Sequence, residues 1–362
     1  MKNQISSAQL FCILFVCRLL GTFTYMSQLQ TTLHAGSRIV ATGVCFLFSI
    51  LSAIPVLLYL QKQNNVSFLN AVGIVSEKTA GIIGISYAAF FLFAAIITIT
   101  RFGLFAGTVL VQNTGLYISV FFLLLVCVYC VYQGLQPLAR TAVIFAVILL
   151  FSLIAIIAGT IGECSLINIP GIRENEIPNI IKQAFFSACR NIEIPALLFI
   201  AEEIKGKAHT VVLKFITAFS IISALLFTVA GGVLGEYGDQ QIFPLFTLSS
   251  VAKFGFVERM EDLLTGIWIV CAMLKTAFLL YVASQCLQKS LHKEIKTCHT
   301  AIGAVLIFAG YLLFSADIPT TIRLLRTWLL PAGYIIFAIL LPIVLYLLFV
   351  RKEKKLQKEN RI

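Results

Sequence analysis

Residues 179–200 read NIIKQAFFSACRNIEIPALLFI, and this stretch decides the architecture. It is long enough to cross a bilayer, which takes about 20 mostly apolar residues in a helix. Its middle nevertheless holds Arg190, Asn191, Glu193 and Pro195. Ionised groups in hydrocarbon are costly, and proline removes a backbone donor and crowds the preceding turn. Both are tolerated where a helix is interrupted inside a protein and side chains take up the freed backbone groups. The stretch therefore reads as a membrane helix broken near half depth, counting about 1.5 Å per residue.

Spans of similar length lie on either side. Charge-free runs recur at 39–60, 79–100, 141–162, 215–235, 297–316 and 327–350. The charge-free stretch 102–139 contains the end of one helix, a turn at Asn113-Thr-Gly, and a further helix over 116–132. Besides 179–200, the spans 8–28 and 263–287 carry a charge, Arg18 and Lys275 respectively. The expectation is an all-α integral membrane protein of about ten transmembrane helices forming one transmembrane domain over 1–362. Helices 1–5 occupy about 8–162 and helices 6–10 about 178–350, followed by a basic tail at 351–362.

Composition agrees. Hydrophobic residues make up 59% of the chain and charged residues 12%, with a mean hydropathy of +0.97. Soluble domains carry about 25% charge, so the surface is built for lipid. The ten cysteines lie mostly in apolar runs, where cysteine acts as a small lipid-compatible residue. Cys127 and Cys130 form a C-x-x-C with no polar company, which argues against redox or metal chemistry there. The first span carries Arg18 and no small-residue cleavage pattern, so it reads as a retained helix and not a signal peptide.

Lysine and arginine bias sets the orientation. With both termini in the cytoplasm, 15 of the 27 basic residues fall on the inner side and seven on the outer, beside nine outer acids. The net charge of +11 is then mostly a cytoplasmic collar facing lipid headgroups, and nucleic acid is not an expected partner.

Linker lengths divide the chain in two. Residues 61–78 join spans 2 and 3 with an amphipathic stretch at 66–75, and residues 236–262 join spans 7 and 8 with one at 246–256. The long linker thus follows the second span of each half. Five helices per half invert the second half relative to the first, which is the mark of a 5+5 inverted-repeat transporter. Such a fold breaks the first helix of each half near the midplane. Span 1 offers Gly21-Thr-Phe-Thr24 and span 6 offers Arg190 to Pro195. Gly21, Thr22, Thr24, Arg190, Asn191, Glu193 and Lys275 are accordingly the candidate ligand-binding residues.

The buried charges have several readings. Arg190 and Glu193, three apart on one helical face, either neutralise each other or face a ligand. Lys275 has no partner in its own helix: it tethers a carboxylate, stands in for a coupling cation, or is a structural lysine. Arg18 is placed to reach Glu193 across the bundle. Arg101 and Lys214, nearer helix ends, read as snorkelling. No catalytic or metal-binding motif accompanies them, and the four histidines fall in loops or at helix ends. The chain is not expected to be an enzyme, and no cofactor or metal is implied.

Several segments together resemble one family. The opening Ile5-Ser-Ser-Ala-Gln-Leu-Phe11 precedes a helix with Cys17-Arg-Leu-Leu-Gly-Thr22, and Gln136-Pro-Leu-Ala-Arg-Thr-Ala142 precedes the fifth span. Phe243-Pro-Leu is followed by Phe256-Val-Glu-Arg-Met-Glu-Asp-Leu-Leu264, then Ile267-Trp-Ile269 and Lys275. In order and spacing these resemble the spore germination permeases, the B subunits of nutrient germinant receptors. These belong to the amino acid–polyamine–organocation superfamily, whose fold is leucine-transporter-like with broken helices 1 and 6. Glu193 matches the family's glutamate in helix 6, whereas Asn191 stands where members commonly have glycine. The resemblance implies binding of a small nutrient, an amino acid first among candidates, at the helix 1/helix 6 breaks. It also implies partnership with an A subunit and a lipoprotein C subunit in the spore inner membrane or the cell membrane. A free-standing amino-acid permease coupled to protons or sodium is the alternative.

Overall fold

A computed structural model describes residues 4–23, 33–62, 68–73, 77–110, 116–253, 260–291 and 296–315, and within 317–346 all but 318–320, 322–326, 328 and 345. These residues are almost wholly helical. In chain order the helices are α1 (Ser7–Phe23), α2 (Ala35–Lys62), α3 (Phe68–Gly73), α4 (Glu77–Phe105), α5 (Leu116–Gln133), α6 (Leu135–Thr160) and α7 (Ile177–Ala188). They continue as α8 (Glu193–Ile200), α9 (Ala208–Gln240), α10 (Pro244–Val251), α11 (Glu261–Leu291), α12 (Lys296–Phe314) and α13 (Leu330–Tyr334). Among the described residues seven apolar helical segments are long enough to cross a membrane, and three shorter apolar helices, Ser7–Thr22, Cys298–Phe314 and Leu330–Val344, stand where the other three spans are expected.

Local chemistry sets several boundaries. Ser6 and Gln9 form a reciprocal cap at the start of α1: the Ser6 N–H donates to Gln9 Oε1 (2.8 Å) and the Gln9 N–H to Ser6 Oγ (3.3 Å). This satisfies two donors that a helix start otherwise leaves unpaired. The cap is held by a short parallel pairing of β1 (Ile5–Ser6) with β2 (Ile204–Lys205) just after α8. Gly134 alone separates α5 from α6, at φ 94°, a conformation that a side chain disfavours. Hydroxyls within the apolar helices bond their own backbone, as Thr98 does to the Ala94 carbonyl and Ser152 to that of Ile148, which satisfies them inside an apolar segment.

The packing follows the expected two-fold relation. The most extensive pairings are α4 with α11 and α2 with α9, which are spans 3 with 8 and 2 with 7. Each unites equivalent helices of the two halves, as an axis between the halves requires. The pairing of α1 with α9 is likewise matched by that of α2 with α7, spans 1·7 against 2·6. The amphipathic linker stretches become α3 and α10, in corresponding places. The turn expected at Asn113 lies outside the described residues.

Burial separates interior from perimeter. Of the most apolar window of each span, 83% is buried in Glu174–Glu203 and 78% in Leu264–Leu291, against 28% in Leu116–Gln133. Span 6 is therefore central, and α5 is peripheral. On α6, Ile144, Val147, Phe151 and Ile154 remain exposed at helical spacing, the stripe a lipid-facing helix presents.

Candidate functional site

The interruption of span 6 is short and tight. α7 ends at Ala188 and α8 starts at Glu193, with Cys189 to Ile192 between them. The Arg190 N–H donates to the Ser187 carbonyl (3.2 Å), Asn191 to Ala188 (3.1 Å) and Ile194 to Asn191 (3.1 Å). These are i→i+3 bonds, a narrowed turn and not a wide opening. Pro195 falls in the first turn of α8, where its missing N–H is one the helix start leaves unused.

Asn191 uses both ends of its amide to tie this turn to the other half. Its Oδ1 accepts from Arg18 Nε (2.5 Å), and its Nδ2 donates to Ser49 Oγ of α2 (2.9 Å). Arg18, 1% exposed, also donates through Nη2 to the Ser187 carbonyl (2.9 Å) and lies over the Phe219 ring at 4.5 Å. Its reach is therefore to Asn191, and the expected contact with Glu193 is replaced by this one. The reason is placement: Glu193 is already the first residue of α8, one turn beyond the segment that Arg18 meets.

Glu193, fully buried, lies instead 2.6 Å from Lys275 Nζ of α11. The ammonium stands off the usual hydrogen-bond direction, and neither carboxylate oxygen has a hydrogen-bond partner among the described residues. Lys275, without a partner in its own helix, thus finds its counter-charge in span 6, and Arg190 lines the cavities.

The interruption expected in span 1 falls at the edge of the described residues. Gly21 and Thr22 are still helical in α1, and Thr24 lies outside those residues. A Cβ at Gly21 would sit 3.0 Å from Arg18 Nη1, so the glycine makes room for the guanidinium folded along its own helix. Thr22 Oγ1 lies 3.5 Å from Ser223 Oγ of α9.

Two cavities meet around Arg18, Gly21 and Arg190. One extends past Thr22, Ser187 and Ser223 to Arg38 and Thr42 of α2. The other lies between Arg101, Ile192, Trp268 and Lys275. Trp268 forms one wall and packs against Phe102 and Phe105 of α4, with ring centroids 5.7 and 3.8 Å away.

Sequence reasoning missed Arg101, Ser49 and Ser187. Arg101 follows a charge-free run and reads as a helix end, but α4 continues to Phe105 and then as a π-helix over Ala106–Leu110. Arg101 is buried and lines the second cavity, so it does not snorkel. Only the run of apolar residues beyond it, 102–111, signalled this. Ser49 and Ser187 carry no signal by themselves.

Polar networks close both ends of the bundle. At one, Tyr281 donates to Glu203 (2.7 and 2.8 Å to its two oxygens), and Glu202 takes Lys289 (3.3 Å) and Asn70 of α3 (2.6 Å). At the other, His34 stands 3.5 Å from both Glu176 and Asp239, with Ser37 bonded to Glu176 and Arg38 to Asp239.

A buried polar junction between two half-helices, flanked by cavities, is where inverted-repeat carriers hold their solutes. Residues 4–319 match the family described as spore germination protein. The chain belongs to that family. Among solved structures it is similar to Mhp1, a nucleobase-cation-symport-1 family transporter, in a closed conformation with bromovinylhydantoin bound. The two are 14% identical, with a TM-score of 0.58 over 90% of this chain and 75% of the other. That likeness shows the fold, a leucine-transporter-like inverted repeat. No curated protein matches the chain. Family and fold are those of permeases, not of enzymes, in a multi-pass membrane protein.

Proposed function

We propose that this chain is the membrane subunit of a nutrient germinant receptor, binding a small nutrient, an amino acid first, between α1 and the break of span 6. The observation that supports it is the joining of Arg18, Asn191 and Ser49 at that break, with Glu193 and Lys275 buried beside two cavities. A buried site of this kind gives each ligand contact more electrostatic weight than water allows. In this reading Gly21, Thr22 and Thr24 of span 1 and Arg190, Asn191 and Glu193 of span 6 bind the ligand, and Lys275 holds the Glu193 carboxylate. Binding then biases the networks at the two ends, and the change is passed to an A subunit and a lipoprotein C subunit in the spore inner membrane, with both termini cytoplasmic.

A permease coupled to protons or sodium is the second reading. It is favoured by the fold, which the chain shares with a symport-family transporter. The test is thermal-shift titration of the purified protein with amino acids, sugars and nucleosides. A saturable shift that weakens in Glu193→Gln and Thr22→Val, with membrane insertion intact, supports the site. An unchanged dose dependence in Glu193→Gln overturns it. Radiolabel uptake by vesicles carrying this chain alone then separates permease from receptor.

A further inference from the structure

Arg101 is a buried cation that nothing among the described residues holds. It is 8% exposed, and within those residues it makes no hydrogen bond, ion pair or ring contact. Its neighbours in the cavity lining differ: Arg18 is held by Asn191, Ser187 and the Phe219 ring, and Lys275 by Glu193. A charge without a partner is costly in a bundle interior, and arginine does not escape by losing its proton.

Helix register turns Arg101 to the second cavity. Ala94, Ile97, Thr98 and Arg101 of α4 all line it, at the i, i+3, i+4, i+7 spacing of one helical face. From α11, Trp268 brings a further donor to the same cavity: its Nε1 is buried and has no acceptor among the described residues. Packing on Phe102 and Phe105 fixes the plane of that indole. Among the described residues no Asp or Glu lines this cavity. Two buried donors that line one cavity without acceptors are complementary to an acceptor from outside the chain. The guanidinium asks for a charged one, since its planar fork matches a carboxylate in two parallel bonds.

We propose that Arg101 anchors a carboxylate of the ligand, with the Trp268 N–H as a further donor in the same cavity. The site then takes small organic carboxylates, amino acids among them, and not neutral sugars or nucleosides. The body of the ligand lies toward Arg18 and Gly21, which line both cavities. The break of span 6 reads that body, while α4 and α11 read the acid group. The inference rests on reading these cavities as the nutrient site, and it adds to that site two residues from outside spans 1 and 6.

The experiment is calorimetric titration of the full chain in lipid nanodiscs with the standard amino acids, acetate, propionate and lactate. Glucose, uridine, chloride and sulfate are run beside them, and each acid that binds is compared with its carboxamide. The acids are expected to bind saturably and at least about tenfold more tightly than their amides, a difference of about 1.4 kcal/mol. Arg101→Gln is expected to remove that preference and Arg101→Lys to restore part of it, a pattern that lost packing does not produce. Location is read without altering Arg101. The other tryptophan of the chain is Trp328, so Trp328→Phe leaves Trp268 as the single indole. Its fluorescence is expected to change with the same midpoint as the heat. Heat of binding with unchanged Trp268 fluorescence overturns the location, even if the Arg101 variants do not fold. Amides, glucose or uridine binding as tightly as the acids overturns the carboxylate anchor and leaves the nutrient site standing. Chloride or sulfate binding as tightly as the acids overturns the organic class in favour of an inorganic anion. Silence across the panel overturns both readings.

Discussion

Arg18 shows how one residue can be both scaffold and site. It is buried in a membrane helix, where an isolated charge is excluded, and it persists because two acceptor oxygens and an aromatic face hold it. Gly21 completes the arrangement by leaving room for Nη1. Gly21→Ala is expected to shift the guanidinium and destabilise the protein by about 1–3 kcal/mol, as overpacking does; ligand affinity falls with it. Chemical unfolding in detergent checks the first and titration the second. The Glu193–Lys275 pair makes a sharper prediction. Lys275→Met strands a buried carboxylate and is expected to cost about 3–5 kcal/mol, and adding Glu193→Gln is expected to return most of that. A double-mutant cycle in thermal unfolding measures the coupling. Additive losses would mean that the pair does not interact.

At the scale of elements, span 6 is broken with little loss of backbone bonding. Tight i→i+3 turns carry the chain from α7 to α8, and Pro195 lies where a helix start spares it. The Asn191 side chain anchors the turn to α1 and α2. Replacing it by the glycine common in the family removes a bond to a charged group and one to a hydroxyl. Asn191→Gly is expected to lower stability by about 2–4 kcal/mol, and to loosen the turn as seen by faster amide exchange over 189–192. Unchanged exchange would show that the backbone alone holds the break. The start of α1 is a milder case: Ser6→Ala removes a cap and is expected to cost about 1 kcal/mol in the same unfolding assay.

At the scale of the molecule, both ends of the bundle are closed by polar contacts. Tyr281 and Lys289 of α11 hold Glu203 and Glu202 just after α8, and His34 bridges Glu176 and Asp239 at the opposite end. Any state that exposes the cavities to the α8 side must part Tyr281 from Glu203. Tyr281→Phe combined with Glu203→Gln is expected to speed thiol labelling of Cys286, which is fully buried in α11. Site-resolved mass spectrometry of labelled protein reads the rate, and an unchanged rate would mean that this network does not gate access.

The class of this protein was legible from composition and spacing. Twenty-residue apolar runs have one stable form in lipid, because every backbone group must be bonded within the segment. The order of linkers gave the two halves, and Pro195 with its polar neighbours marked the break in span 6. Glu193, Asn191 and Lys275 stood out because charge and amide groups are rare at that depth. Who pairs with whom was not legible: Arg18 is placed to reach Glu193 as well as Asn191, and Arg101 reads as a helix end. Partners in the site come from different spans, Arg18 and Asn191 being 173 residues apart, and the choice among them depends on helix rotation and register. Those are set by side-chain packing over the whole bundle, a sum of many small contacts that no local pattern records. The sequence by itself determined that the chain spans the bilayer as an inverted repeat with polar groups at midplane. The tertiary structure decided that three arginines and a lysine from spans 1, 3, 6 and 8 share one cavity, with the carboxylate of Glu193 beside it.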